Sequence, residues 1–366
     1  MSLLFTPLSI GSLSIPNRLI RSATAERMSG EDGAPLVALI DCYRKLASGG
    51  VGLIISGHLC IHSSGKAHPE MTSIQTDSMI PGLAKLAEAV HQEGGLLAAQ
   101  INHGGMNASV WHDPMAPSSI QLASMTRPAR ELSNAEIEEM INAFGLAAGR
   151  AKQAGFDAVQ IHAAHGYLIS QFLSPVTNLR TDHWGGDFDR RMNFLREVSN
   201  NVRRTVGRDY PVMIKLGMED GLDGGLTAAD GANIVSALED MDIDGVEISS
   251  GIGSPRASAS RKGVRNETEE AYFRPLAKLA RLATRLPIAL VGGIRSRKLM
   301  DSLLDSGDVD FISLCRPLIS EPDLPNRLRT GTAEKSACLS ANNCWPLNTG
   351  EGIACKCPKI AKEPPI

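Results

Sequence analysis

The chain reads as an α/β protein, a (β/α)8 TIM barrel followed by a short, irregular, cysteine-rich tail. Three observations point there. Eight short apolar runs alternate with segments of helical periodicity along 366 residues, a length that suits one barrel of roughly 200 to 400 residues. The runs are continuous rather than alternately polar and apolar, as in parallel strands covered on both faces. The first run leads into Ala25, Glu26, Arg27, Met28 and Ser29, without the G-x-G-x-x-G turn that a doubly wound dinucleotide fold places after its first strand.

The eight candidate strands are Leu19–Ala23, Gly52–Gly57, Leu96–Asn102, Ala158–Ala163, Val212–Gly217, Gly245–Ser250, Ile288–Gly293 and Phe311–Arg316. Helical signals fall between them. Leu83, Leu86 and Val90 share one helical face, and Gly94-Gly95 supplies a stop. Ser133 with Glu136 forms a capping box, in which each side chain satisfies the other residue's backbone N–H. Ile137, Ile141, Phe144 and Ala148 follow on one face. Phe194, Val198 and Val202 mark another helix that ends near Gly207, and further helices fit residues 228–241, 268–284 and 297–306. Right-handed strand–helix–strand crossovers close such units into a barrel. Residues 1–330 are read as the barrel domain and residues 331–366 as an extension packed on it.

Composition narrows the function classes. Lys and Arg number 37 against 40 Asp and Glu, a formal charge of −3, which disfavours charge-driven binding to nucleic acid or to a membrane surface. Aromatic residues make up 4%, too few for a row of base-stacking platforms. Apolar runs such as Val51–Ser56 fall far short of the roughly 18 residues of a membrane span. The start, Met1-Ser2-Leu3-Leu4, has neither the basic lead nor the cleavage site of a signal peptide. A cytoplasmic enzyme is the expectation.

Barrel chemistry is expected at the C-terminal ends of the strands. Gln100, Asn102 and His103 lie there after strand three, and His162, His165 and Tyr167 after strand four. The loops after strands seven and eight form the usual barrel phosphate site. Gly292-Gly293 lets backbone N–H groups approach an anion, and Arg316 offers a two-pronged clamp. Lys215 sits inside an apolar strand, where an unpaired ammonium is costly. It reads as a structural ion pair, a Schiff-base lysine or a cation facing an electron-rich ring. His162 and His165 read either as metal ligands, with His58 or His103 as a third, or as two donors to one substrate oxygen. Tyr167 is a candidate proton donor.

Phe5-Thr6-Pro7-Leu8, Asn17 to Ser22, Ala154 to Asp157, His162 to Leu168, Phe172 to Pro175 and Asn178 to Asp182 occur in that order. Together, from about residue 3 to about 330, they resemble the old yellow enzyme family of FMN-dependent NAD(P)H oxidoreductases. The resemblance implies FMN held non-covalently at the barrel mouth, with NADH or NADPH as a transient reductant. It implies contacts to the flavin from Ala23, Thr24, Ala25, Gly57, Gln100 and His162, with Lys215 beside N1 and O2. It places the phosphate on Gly292, Gly293, the backbone of Cys315, and Arg316. His162 and His165 would bind a carbonyl or nitro oxygen, and Tyr167 would protonate or line the substrate. The implied partner is a small electron-poor alkene, reduced by a ping-pong hydride transfer; nucleic acid and membrane partners are not expected, and a homo-oligomer stays open.

Two departures from the family pattern matter. Ala25 stands where many members carry Cys or Thr, so any hydrogen bond that tunes the flavin falls to Thr24. Arg27 stands where relatives with small neutral pockets carry apolar or aromatic residues, and reads as an anion-selecting group or as a surface charge. Cys338, Cys344, Cys355 and Cys357 are similar to a branch that binds a four-iron cluster, but Ala341 occupies the place of one ligand. They are read as a packed remnant with free thiols and no metal, with a cluster or a zinc ion as alternatives. The rival functions are a flavin dehydrogenase or demethylase, a flavin-binding sensor or carrier, and a zinc hydrolase built on His162 and His165.

Overall fold

A computed structural model describes residues 2–122, 125, 127–252, 258–348 and 350–358. Eight parallel strands form its centre: β1 (Leu19–Arg21), β2 (Leu53–Ile55), β3 (Leu97–Asn102), β4 (Ala158–Ala163), β5 (Val212–Gly217), β6 (Gly245–Ser249), β7 (Ile288–Leu290) and β8 (Phe311–Leu314). They pair in chain order, and β8 closes on β1 with Ile312, Ser313 and Leu314 opposite Leu19, Ile20 and Arg21. The barrel expected from the eight runs is therefore present. Five strands stop earlier than their apolar runs, so Ala23, Gly57, Ser250, Gly293 and Arg316 lie beyond the strand ends, in the segments that form the mouth.

The outer layer is α1 (Val37–Ser48), α2 (Ile80–Gln92), α3 (Asn134–Gln153), α4 (Asn193–Val206), α5 (Ala228–Ala237), α6 (Arg274–Ala283), α7 (Arg297–Asp305) and α8 (Leu324–Thr330). The capping box starts α3: Ser133 N–H donates to Glu136 Oε2 at 2.8 Å, and Glu136 N–H to Ser133 Oγ at 3.3 Å. Helix α4 ends on Gly207 at φ 83°. The helix expected over 268–284 begins six residues late, with Pro275 in its first turn, where a missing N–H costs nothing. Helix α1 has no counterpart in the sequence reading.

An antiparallel hairpin, Leu8–Ile10 with Leu13–Ile15, plugs the N-terminal end of the barrel. Its Ile10 and Ile15 pack with Ile20, Leu53, Ile55, Ala98, Ala158, Met213, Ala289 and Phe311 into an apolar interior layer. Side chains alternate faces along a strand, so the next inward positions lie two residues further on. These are Ser22, Gln100, Gln160, Lys215, Glu247 and Ser313, and all are buried. The interior thus changes from apolar to polar within one step of two residues, at the end where barrel chemistry belongs.

The chain after α8 folds back over that end. Ser336 N–H donates to Arg295 O (3.1 Å), Gly263 N–H to Ser340 O (3.0 Å), Ile353 N–H to Glu26 O (2.9 Å) and Gly350 N–H to Glu70 Oε1 (3.2 Å). These bonds tie the tail to loops that follow β7, β6, β1 and β2. Thr349 and residues 359–366 of the expected extension lie outside the described residues. Among the described residues no helix is long and apolar enough to cross a membrane.

Candidate active site

A cavity enclosing about 1180 Å³, its open mouth included, lies over the C-terminal ends of the strands. Ser22, Gln100, His162, Lys215, Ser249 and Ser313 line it from the barrel. Asn342, Cys344, Trp345 and Ile353 line it from the tail, so the extension is part of the wall.

The floor is a continuous polar network. Lys215 faces Glu247 directly across the β5–β6 ladder, with Nζ 3.2 Å from Glu247 Oε1. Lys215 also donates to Ser22 Oγ (2.8 Å), and Ser22 donates to Glu247 Oε1 (2.7 Å). On the other side Gln100 donates to Gln160 Oε1 (2.7 Å) and Gln160 to Glu247 Oε2 (3.1 Å). The lysine is thus both ion-paired and on the cavity wall. Its lone partner carboxylate, rather than a charge-free pocket, argues against the Schiff-base reading, which needs a neutral amine.

His162 and Tyr167 face one another above this floor. Their ring centroids are 4.9 Å apart at 72°. Ala164 N–H donates to His162 Nδ1 at 3.3 Å, which leaves the ring proton on Nε2, where the described residues offer no partner. Burial and the neighbouring His165 hold His162 well below its usual pKa, so the imidazole is neutral. His165 adopts a left-handed backbone, φ 62°, and its Nε2 is 2.7 Å from Ser249 Oγ. The two imidazoles are therefore not equivalent: one ring offers a free N–H and the other is held by a serine. Burial pushes the Tyr167 hydroxyl up to about 12, partly offset by the charge of Arg27, so it keeps its proton. His58, considered above only as a third metal ligand, forms part of this wall, 5.2 Å from the Tyr167 ring.

The far end of the cavity suits an anion. Gly293 has φ 73°, and a Cβ there would lie 2.9 Å from the Tyr272 ring, so the turn accepts only glycine without rearrangement. Gly292 (φ 142°) precedes it behind the wall. Arg316 donates through Nη1 to Arg261 O (2.8 Å), Ser340 O (3.3 Å) and Asn342 Oδ1 (2.6 Å), leaving Nε and Nη2 without partners among the described residues. Cys315 lies beside it on the wall. Two further donors were not legible in the sequence. Ser313 Oγ and Arg295 Nη2 are buried, belong to residues that line the cavity, and have no hydrogen-bond partner among the described residues. Arg295 carried one usable signal, its place two residues after the Gly292-Gly293 turn.

Several expected contacts take other forms. Gly57 stands behind the wall: its N–H donates to Tyr43 OH (2.8 Å), and a Cβ on it would collide with Glu26 Oε2. Ala23, Thr24 and Ala25 line the cavity, but Thr24 Oγ1 donates to Ser22 O (3.0 Å) and accepts from Arg21. Its hydroxyl proton is committed and does not replace the donor missing at Ala25. Glu26 turns inward, 3.6 Å from Arg21, and burial raises its carboxyl to about 7. Arg27 stacks over Trp345, 5.7 Å from the ring centroid. His103 turns away from the cavity to Ser64 Oγ (3.0 Å). Among the described residues no three His, Cys, Asp or Glu side chains converge as a metal site; Cys338 and Cys357 are buried and Cys344 and Cys355 half-buried, all as free thiols.

The sequence model of the NADH:flavin oxidoreductase / NADH oxidase family matches residues 3–335. The chain belongs to this family. It is the old yellow enzyme family that the motifs resembled. Among curated relatives, the NADH oxidase of Thermoanaerobacter brockii is 34% identical over 93% of this chain and 52% of its own length. The metal reductase of Desulforamulus reducens is 35% identical over 93% and 51%. The chain thus spans about half the length of these two relatives. The NADPH dehydrogenase of Bacillus subtilis is 32% identical over 87% of this chain and 92% of its own. The structure of an old yellow enzyme homologue from Zymomonas mobilis superposes with a TM-score of 0.79 at 26% identity, covering 99% of both chains.

Membership names the group to test against this cavity: FMN, with a nicotinamide as the reductant the family name implies. The residues present fit that cofactor. Orphaned donors at Ser313 and Arg295 and the free nitrogens of Arg316 suit a phosphate, the Gly293 turn leaves room beside them, and Lys215 offers a cation at the inner end.

Proposed function

We propose that this cavity reduces electron-poor alkenes conjugated to a carbonyl or nitro group, with NAD(P)H and alkene occupying it in turn. Hydride and a proton add across the C=C bond while NAD(P)H becomes NAD(P)+. The observation that carries the reading is the free Nε2–H of His162, set in the same cavity as the protonated Tyr167.

FMN would supply hydride transfer between the nicotinamide and the alkene. Ser313, Arg295, Arg316 and the Gly293 turn would hold its phosphate. Lys215, fixed by Ser22 and Glu247, would place a positive charge where negative charge grows on reduction. His162 donates its Nε2–H to the substrate oxygen, drawing electron density away from the β-carbon. His165 orients the same oxygen from its second nitrogen. A preorganised donor of this kind is worth roughly 3–4 kcal/mol in a transition state. Tyr167 delivers the proton to the α-carbon, and its high pKa keeps that proton in place until a carbanion-like centre forms. The tail residues Trp345 and Ile353 complete one side of the wall. A cytoplasmic setting follows from the use of NAD(P)H.

An anaerobic visible spectrum of the FMN-loaded protein tests this. A flavin band near about 450 nm should bleach with NADPH or NADH and return with cyclohexenone. Bleaching that no enone or nitroalkene reverses sinks the alkene assignment and favours another acceptor.

A further inference from the structure

We propose that Arg27 docks a carboxylate carried by the alkene, so that this cavity is built for anionic, electron-poor alkenes. The inference rests on the alkene-reduction reading and adds a substrate class to it.

Arg27 is a half-buried cation. Among the described residues its buried Nε has no hydrogen-bond partner and no carboxylate pairs with it. Glu26 and Glu70 do not pair with it. Glu26, its chain neighbour, turns the opposite way to Arg21, and Glu70 accepts Gly350 N–H while facing His68 at 3.7 Å. A guanidinium withdrawn from water and left unpaired is costly, and its planar fork matches a carboxylate.

Arg27 follows the cavity-lining residues Ala23, Thr24 and Ala25 and stands beside the wall, against Trp345. Arg27 has φ 55°, a left-handed conformation that a long side chain adopts only under constraint. The constraint is visible: Ile353 N–H from the tail holds Glu26 O at 2.9 Å. Trp345, a cavity-lining residue of the tail, supports the guanidinium by its ring face. The positive charge reaches His58, His68 and Tyr167, all of whose protonation it biases. Of these, His58 lies on the cavity wall, its ring 5.2 Å from that of Tyr167. The donors proposed for the phosphate, Ser313 within β8, Arg316 after it and Arg295 after β7, lie elsewhere in the chain, so Arg27 on the loop after β1 is a separate anion position. Two anions of the right kind enter this cavity, a substrate carboxylate and the nicotinamide's phosphates; proximity to Tyr167 favours the carboxylate.

The test compares acid and ester on the FMN-loaded protein. Binding of 4-hydroxybenzoate and of methyl 4-hydroxybenzoate is read from the flavin spectrum. Turnover of trans-4-oxo-2-pentenoate and of its methyl ester is read with NADPH. Wild type should favour the acid at least tenfold in both assays. Arg27→Gln should cut both acid-to-ester ratios at least tenfold, and Arg27→Lys should fall between. Unchanged ratios overturn the proposal. So does a raised KM for NADPH at constant ratio, which assigns the cation to the nicotinamide. If the benzoate ratio collapses as expected but neither pentenoate is reduced, the anion site stands and the alkene reading fails. If both pentenoates are reduced with equal ratios in wild type and variant, the alkene reading stands and the anion site fails.

Discussion

Lys215 and Glu247 occupy directly opposed positions on neighbouring barrel strands, Nζ to Oε1 3.2 Å, with both side chains essentially excluded from solvent. The pair explains how a lysine is tolerated inside an apolar strand, and it makes two roles separable. Removing one partner of a buried pair costs about 3–5 kcal/mol, because the other charge is left uncompensated. Lys215→Met should lose stability on that scale in urea unfolding. Adding Glu247→Gln should recover most of the stability. The double variant should still show a lowered flavin reduction potential, because the cation proposed to sit beside the ring is gone. A double variant with wild-type potential would make Lys215 purely structural.

His162→Ala removes the one imidazole whose Nε2–H is free. Alkene reduction should slow about 10²–10³-fold, with FMN retained and bleaching by NADPH little changed. Stopped-flow traces of the two half-reactions check this; equal slowing of both would place His162 on the nicotinamide as well. His165→Ala should cost less, since its Nε2 is already held by Ser249.

Arg316→Ala should lower the FMN content of the purified protein severalfold. Arg316 also ties down the tail through Ser340 O and Asn342 Oδ1, so a control is needed. Asn342→Ala loosens that tie while leaving the guanidinium in place, and should keep its flavin. Equal flavin loss from both variants would trace retention to the tail rather than to the phosphate clamp.

Acid should destabilise the fold before it protonates most carboxylates. Burial holds His58, His103 and His165 at about 3 and His68 at about 4. Unfolded, each titrates near 6.5, so the unfolded chain binds more protons below that value. Their contribution is complete above pH 6.5 and is lost as pH falls toward 4, each with a slope approaching roughly 1.4 kcal/mol per pH unit. Glu26, raised to about 7, works in the opposite sense, costing stability as pH rises from 4.5 to 7. Urea midpoints measured from pH 4 to 8 should fall steeply on the acid side, and His103→Gln should remove about one proton from that dependence.

The strands show how far local pattern reached. Eight apolar runs located all eight, because a strand covered on both faces must be apolar nearly throughout. The same reading passed over Gln160 and Glu247, which sit among those apolar residues and carry the floor network. Their signal was the period of two: Ala158, Gln160 and His162 on one strand, Gly245, Glu247 and Ser249 on another, each turning from small to polar toward the C-terminal end. Helix α1 was missed because Val37 to Ser48 begins without a capping side chain.

Sequence by itself determined the barrel, the family and the chemical identity of the residues at the strand ends, since periodicity, turn glycines and ordered motifs are local properties of the chain. Tertiary structure decided which nitrogen of His162 carries the proton, that Thr24 spends its hydroxyl on Ser22, and that Glu26 and Arg27 point apart. It also brought Trp345, more than 300 residues away along the chain, onto Arg27. Those outcomes depend on which groups meet after the barrel closes and the tail crosses its mouth. Hydrogen bonding, burial and charge pairing act between neighbours in space, and no spacing along the chain encodes them.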